Sequence, residues 1–286
     1  MKRIIILSLA AVLCTTASFA QSKIITDTLP STTLGRAVPV NVYLPRGFEG
    51  ASSNHYPVLY LLHGLYGTHM DWARTGGLQT VLDELIGTGE AVPMVVIMPC
   101  AGGSDVHHVQ NGYFNVKDNA YEDFFFGELM PKMEAKYACG GSKGKRAIAG
   151  LSMGGGGSVV YSQRHPDLFS SCYAMSAWLD TQVREARTPE EKEDKLFITN
   201  QSVREHSALD FVDHADEATV SSLKTVKWFL DCGDDDSLME LSVRLHLGMK
   251  AKGIKSELRI RNGVHNWEYW HTALRLSLPF ATRNFD

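Results

Sequence analysis

The stretch AIAGLSMGGGGSVV, residues 147–160, constrains the fold most. It runs an apolar strand into a helix-compatible segment through one serine among five glycines. Glycine inside a helix costs about 1 kcal/mol relative to alanine. Flanked by regular elements, these glycines are no flexible linker; they predict a crowded turn in which side chains would collide. The pentapeptide Gly150-Leu151-Ser152-Met153-Gly154 reads GxSxG. That pattern marks a sharp strand-to-helix turn that strains the serine backbone and exposes its hydroxyl. Unpaired N–H groups at the start of the following helix favour negative charge beside Ser152.

The rest of the chain repeats the strand–helix rhythm. VLYLLHG (58–64), MVVIMPC (94–100), RAIAGLS (146–152), SCYAMSA (171–177) and VKWFLDCG (226–233) read as buried strands. SELRIRNG (256–263) alternates and reads as a strand nearer an edge. Between them LQTVLDELIG, YEDFFFGELMPKMEAKY and SLMELSVRLHLGMKAKG carry apolar residues three and four apart, as helices do. This α/β pattern predicts a mostly parallel sheet with helices on both faces. KIITDTL and AVPVNVYLP have no helix between them and are expected to pair antiparallel at one edge. Residues 178–225 break the rhythm with a long charged segment, expected as a solvated helical pair or a cap over the site.

Charge and length exclude some classes of function. The 286 residues carry a formal net charge of −4 and no long basic run, so there is no nucleic-acid footprint. Lys2 and Arg3, a short apolar run, then Ser18 and Ala20 predict a secretory signal peptide over residues 1–20, cut after Ala20. One domain is then expected over 21–286, exported to a periplasm or secreted, with no stable membrane insertion after cleavage. Cys100, Cys139, Cys172 and Cys232 lack metal spacing, and three of them sit in or beside apolar strands. They read as small buried hydrophobes, and no metal is expected.

A serine is a poor nucleophile without a base, a group orienting the base, and donors for the oxyanion. In a GxSxG elbow the chain order is serine, acid, histidine. Of the histidines after Ser152, His265 lies in a loop just past the last strand, where loops meet the active edge of a parallel sheet. His165 ends the elbow helix and His246 sits mid-helix, so both read as structural. His206 and His214 fall in the charged segment and His271 in the final helix. The acid is expected after the preceding strand, in FLDCGDDDSL, where Asp234, Asp235 and Asp236 share a turn and local chemistry does not separate them. The expected oxyanion donors are the amides of Met153 and of Leu65, in the loop HGLYG. His63 reads as a brace for that loop. Trp178, after the strand SCYAMSA, is expected at the same sheet edge as Ser152, either stacking on substrate or anchoring the charged segment.

Assembled, these residues resemble the esterase D-type branch of the α/β-hydrolases. That branch includes S-formylglutathione hydrolases, tributyrin esterases, feruloyl and acetyl xylan esterases, and antigen 85-type mycolyltransferases. The resemblance runs from about Val40 to Phe280. Its landmarks are YPVLYLLHGLYGTHMDW, YEDFFFGELMPKMEAKY, GLSMGG, DCGDDDSL and GVHNWEYW. It implies the α/β-hydrolase fold. The family's GxxD turn points to Asp236, with Asp235 as runner-up, and its H-x-W context selects His265. The four glycines after Met153 exceed the family's usual pair.

The resemblance implies a serine carboxylesterase that needs no cofactor and acts through an acyl-enzyme. Its expected substrates are acetyl or feruloyl esters of carbohydrates. Alternatives on the same residues are an S-formylglutathione hydrolase-like thioesterase and an acyltransferase. From another class comes a glycan-binding relic that has lost turnover.

Overall fold

The computed structural model describes residues 21–50, 55–103 and 110–286. The expected signal peptide, residues 1–20, lies outside them. The strands are β1 (Lys23–Ser31), β2 (Arg36–Leu44), β3 (Val58–Leu62), β4 (Val95–Pro99), a short hairpin of β5 (Asn115–Val116) and β6 (Asn119–Ala120), then β7 (Arg146–Leu151), β8 (Ser171–Met175), β9 (Lys227–Gly233) and β10 (Ser256–Arg261).

Eight of them form one sheet in the order β1-β2-β4-β3-β7-β8-β9-β10. β1 pairs antiparallel with β2, and β2 antiparallel with β4. From β4 to β10 every pairing is parallel. The sequence expectations hold here: the two helix-less strands occupy one edge, and the alternating strand SELRIRNG occupies the other.

Successive side chains of a buried strand point to opposite faces, so each strand feeds two cores. Val58, Tyr60 and Leu62 of β3 enter one core, with Phe125, Tyr161, Trp228 and Met249. Leu59 and Leu61 enter the other, with Trp72, Leu82, Leu274 and Phe280. The helices 121–137, Met153–Arg164 and Met239–Ala251 cover the first face. Leu78–Thr88 and Trp267–Arg283 cover the second.

The segment YEDFFFGELMPKMEAKY forms one continuous helical run with a wider π turn at Phe125–Leu129. Pro131 supplies the reason: it has no N–H to return to the carbonyl four residues earlier. The neighbouring Met130 amide reaches back five residues, to the carbonyl of Phe125.

The charged segment forms three α-helices, Lys195–Glu205, Ala208–Asp213 and Glu217–Leu223. Each is capped by a side chain (Asp194, Ser207, Asp216) that accepts from an amide three residues on. The His206 ring stacks on Phe114 at 4.3 Å, tying the segment to the loop after β4. Among the described residues no helix is long and apolar enough to cross a membrane. Cys100, Cys139, Cys172 and Cys232 are all free, and all are buried, as the reading of small buried hydrophobes expects.

Candidate active site

The carboxyl edge of the parallel strands gathers the candidate residues. Ser152 follows β7, the loop 63–67 follows β3, Trp178 follows β8, Asp236 follows β9 and His265 follows β10. Ser152 takes φ +53° and ψ −117°, a conformation that side chains rarely adopt. Its amide donates to the Met175 carbonyl at 2.8 Å, and its carbonyl accepts from the Trp178 amide at 2.9 Å and the Gly156 amide at 3.0 Å. The strained turn is thus fixed from both sides by the exit of β8.

The glycines meet a different neighbour at each position. A methyl group on Gly150 would strike the Gly154 carbonyl, and one on Gly154 would lie 2.5 Å from the His63 carbonyl. On Gly155 it would lie 2.9 Å from the Met175 carbonyl, and on Gly157 2.9 Å from the Tyr113 Cβ. On Gly156 it would run into the Trp178 carbonyl. The usual pair, Gly154 and Gly155, therefore lets the helix press on the ends of β3 and β8, and the extra pair, Gly156 and Gly157, lets it press on the chain after β8 and the loop before β5. Close packing of the helix offsets their conformational cost.

His265 Nε2 lies 3.0 Å from Ser152 Oγ, and Nδ1 lies 2.8 Å from Asp236 Oδ2. With Nδ1–H donating to the carboxylate, Nε2 is left to accept the serine proton. The Asp236 side chain is fully buried and that of His265 is about one-third exposed. Asp236 Oδ1 accepts from the Leu238 amide at 2.8 Å. Burial works to raise the Asp236 pKa, but hydrogen bonds from His265, the Leu238 amide and Ser176 outweigh it. The carboxyl is held below its ordinary value.

Asp231, Asp234, Asp235 and Asp236, close together in the chain, take four different places. Asp231 is fully buried in β9, accepting from Tyr173, Tyr269 and Arg261. Asp234 accepts from the Gly263 amide at 2.9 Å and so fastens the turn to the histidine loop. The Asp235 side chain is exposed, while its amide donates to the Gly263 carbonyl at 3.1 Å. Asp236 alone meets His265. Gly263 itself takes φ +154°, with Tyr269 packed where a side chain would stand.

The loop His63–Gly67 passes directly beside Ser152. A methyl on Gly64 would be 3.4 Å from Ser152 Cβ. The Gly64 carbonyl accepts from His63 Nδ1 at 2.8 Å and from the Gly67 amide at 3.1 Å. A trans peptide points its C=O and N–H in opposite directions. Pinning the Gly64 carbonyl therefore also sets the direction of the Leu65 N–H. Met153 opens the elbow helix, where its amide has no partner within the helix.

Trp178 is partly buried against the first core, and its main chain touches both Ser152 and Gly156. The other histidines serve the scaffold. His165 Nε2 lies 3.8 Å from the buried Glu122, His246 Nδ1 lies 2.8 Å from Ser256 Oγ, and His271 Nδ1 lies 2.7 Å from the Gly76 carbonyl. Sequence reasoning missed two close neighbours of the site. Ser176 was absorbed into the tail of a strand, and Trp270 stood in HNWEYW without a role. Their signal is contact across the sheet edge, which no local pattern carries.

Comparison with known proteins places the chain in a family. The family model Esterase, described as "Putative esterase", matches residues 31–281. A solved structure of a ferulic acid esterase is 44% identical, with a TM-score of 0.88, over 94% of this chain and 100% of that one. An S-formylglutathione hydrolase from Staphylococcus aureus is 19% identical with a TM-score of 0.73, over 92% of this chain and 100% of that one, and so shares the α/β-hydrolase fold. An endo-1,4-beta-xylanase/feruloyl esterase of Xylanibacter ruminicola is 27% identical over 249 residues. That match covers 85% of this chain but only 29% of the relative's length. Elbow, sheet order and family match agree with the resemblance read from the sequence: the chain belongs to the Esterase family.

Proposed function

We propose that the chain is an exported serine carboxylesterase that removes feruloyl or acetyl groups from carbohydrate esters. The observation that carries this reading is the continuous path from Ser152 Oγ through His265 to Asp236, at 3.0 and 2.8 Å. In the first step Ser152 Oγ attacks the ester carbonyl while His265 Nε2 takes its proton. The amides of Leu65 and Met153 receive the charge that develops on the carbonyl oxygen. His265 then protonates the departing sugar hydroxyl, and the acyl group remains on Ser152. Water, deprotonated by the same nitrogen, attacks the acyl-enzyme and releases the acid. Asp236 keeps the imidazole in the tautomer with Nδ1 protonated. None of these steps uses a metal or an organic cofactor.

The 44% identity to a ferulic acid esterase favours a feruloyl-carbohydrate substrate. The thioesterase alternative has the 19% likeness behind it, which speaks for the fold alone. Trp178, at the nucleophile's edge, is the candidate surface for an aromatic acyl group or a sugar face. Residues 21–286 act as one esterase domain, reached after removal of the signal peptide 1–20.

Purified protein should hydrolyse feruloylated or acetylated oligosaccharides, and Ser152→Ala should abolish that turnover with the melting temperature unchanged. A fluorophosphonate should label the parent at Ser152 only. Turnover in the Ala variant would sink the nucleophile assignment. Preferential acyl transfer to an added alcohol would turn the reading into an acyltransferase. Glycan binding without any ester cleavage would favour a relic.

A further inference from the structure

We propose that a cationic cavity at the end of the sheet opposite Ser152 is a second carbohydrate-binding site, one that takes a sugar chain bearing carboxylates. The choice of a glycan among anions rests on the carbohydrate-ester reading above.

The cavity measures about 740 Å³ and lies where β9 and β10 begin and the helices Met239–Ala251 and Trp267–Arg283 end. Lys227, Lys250, Lys255 and Arg283 line it, with Glu257 as the acid among them. The whole chain has a formal charge of −4, so this clustering is not a by-product of a basic composition. Ser256 pairs with Trp228 in the parallel ladder, so Lys255 and Lys227, one residue earlier in each segment, stand side by side. Like charges on neighbouring strands work against stability. A bound anion would turn that repulsion into attraction.

Nothing nearby already neutralises these cations. Among the described residues, none of the four side chains makes an ion pair or a hydrogen bond. Lys250 and Arg283 lie in the last turns of their helices, where a cation offsets the negative helix end. The last carbonyls there are nevertheless taken. Those of Gly248, Met249 and Lys250 receive main-chain amides, and that of Phe280 receives the Asn284 side chain at 2.7 Å. The Arg283 guanidinium lies over the Phe280 ring, 5.9 Å from its centroid, which orients the planar fork that pairs with carboxylates. His246 Nδ1 lies 2.8 Å from Ser256 Oγ and ties helix to strand. Burial, with Lys250 adding to it, lowers the His246 pKa, so this ring offers hydrogen bonding rather than charge.

The chemistry of the lining selects among anions. Trp228, Ile254 and Phe280 are almost wholly buried, so they offer no side chain to enter a bilayer and no open ring for a base to stack on. Asn284, His246 and Ser256 supply donors and acceptors that suit hydroxyl groups. Cations set around a polar cavity fit a chain whose carboxylates are spread among hydroxyls. The seven residues of β9 run from Lys227 here to the turn that carries Asp236, on the order of 20 Å away. A chain bound here leaves the reacting ester free. It also keeps the polymer beside the enzyme between cuts, which raises the effective concentration of its other esters.

The test is isothermal titration of the full chain with polygalacturonate, beside neutral arabinoxylan, inorganic phosphate, phosphatidylglycerol vesicles and single-stranded DNA. Polygalacturonate should bind most tightly, and added salt should weaken it. The double variant Lys227→Glu/Lys255→Glu should bind it about tenfold or more less tightly, and Arg283→Gln about threefold or more. Lys23→Glu/Lys192→Glu makes the same change in net charge at two other exposed lysines and should stay within about twofold of the parent. All variants should keep the parent's melting temperature and its rate on p-nitrophenyl acetate. No binding of polygalacturonate, equal weakening by the two double variants, or tighter binding of phosphate, vesicles or DNA would overturn the site. Hydrolysis of feruloyl- and acetyl-oligosaccharides, run in parallel, separates the two readings. If they are not cleaved while polygalacturonate binding is lost only in the cavity variants, the catalytic reading alone has failed. If they are cleaved while polygalacturonate does not bind, the second site alone has failed.

Discussion

The Ala101 amide donates to Nε2 of His63 at 2.9 Å, which fixes this fully buried imidazole as the neutral form protonated on Nδ1. Burial lowers the His63 pKa from 6.5 to about 4. Protonating Nε2 would set one N–H against another and release the loop after β4 from the loop His63–Gly67.

This gives a stability prediction with a definite sign. Below pH 6.5 the unfolded chain takes up a proton that folded His63 refuses until about pH 4. Stability should therefore be full above that window and fall as the pH drops through it, by an amount on the order of 3 kcal/mol. In His63→Gln that component should vanish from the pH dependence of urea unfolding. The same variant should lower kcat by roughly a hundredfold through a misdirected Leu65 amide, comparable with losing an oxyanion donor. An unchanged pH slope in the variant would remove His63 from this role.

Asp236→Asn should cut kcat by as much as about 10⁴-fold, because an amide facing Nδ1 favours the wrong imidazole tautomer. Asp235→Asn should be near the parent, since its side chain is exposed. Asp234→Asn should be mild: the amide oxygen can still accept from Gly263. Steady-state kinetics of the three variants check the order, and a severe loss in Asp235→Asn would reverse the assignment of the acid.

Trp178→Ala tests the aromatic surface. With the ring lining the acyl or sugar pocket, kcat/KM for a feruloyl-glycan ester should drop about tenfold or more while p-nitrophenyl acetate is still cleaved. An equal loss on both substrates with a lowered melting temperature would make Trp178 an anchor of the charged segment instead.

Two glycines should respond oppositely to alanine. Gly87 lies inside the helix Leu78–Thr88 with open space around it, so Gly87→Ala should stabilise by up to about 1 kcal/mol. At Gly156 the added methyl meets the Trp178 main chain, so Gly156→Ala should lower both the melting temperature and the activity. Thermal denaturation of the pair decides whether the glycine run is a packing requirement.

Much of this was legible in the sequence, and the physical reason differs by element. Buried parallel strands announce themselves as unbroken apolar runs, so β3, β4, β7, β8 and β9 were readable to within a few residues. Ser152 and His265 could be singled out because the elbow and the loop after the last strand have fixed places in such a sheet, and the structure brings the two within 3.0 Å. Asp236 was not separable from Asp234 and Asp235 by local chemistry; the resemblance singled it out, and of the three its carboxylate is the one that lies beside His265. The division of labour among those aspartates depends on Gly263 and His265, some thirty residues on, which no local pattern encodes. The π turn before Pro131, and the caps and third helix of a charged segment expected as a helical pair, escaped for a similar reason: periodicity reports a helix, not how its hydrogen bonds are shared.

The anchoring of Ser152 through Met175 and Trp178 has a consequence for how the enzyme recognises what it cuts. Because the peptide groups of Ser152 are already engaged by the exit of β8, the proposed acylation would ask only its side chain to turn. Free and acylated forms should superpose along the elbow, and no closing movement of this segment is available to reward a good substrate over a poor one. Discrimination on this side of the site then depends on rigid fit: a substrate either meets walls already standing or is poorly turned over.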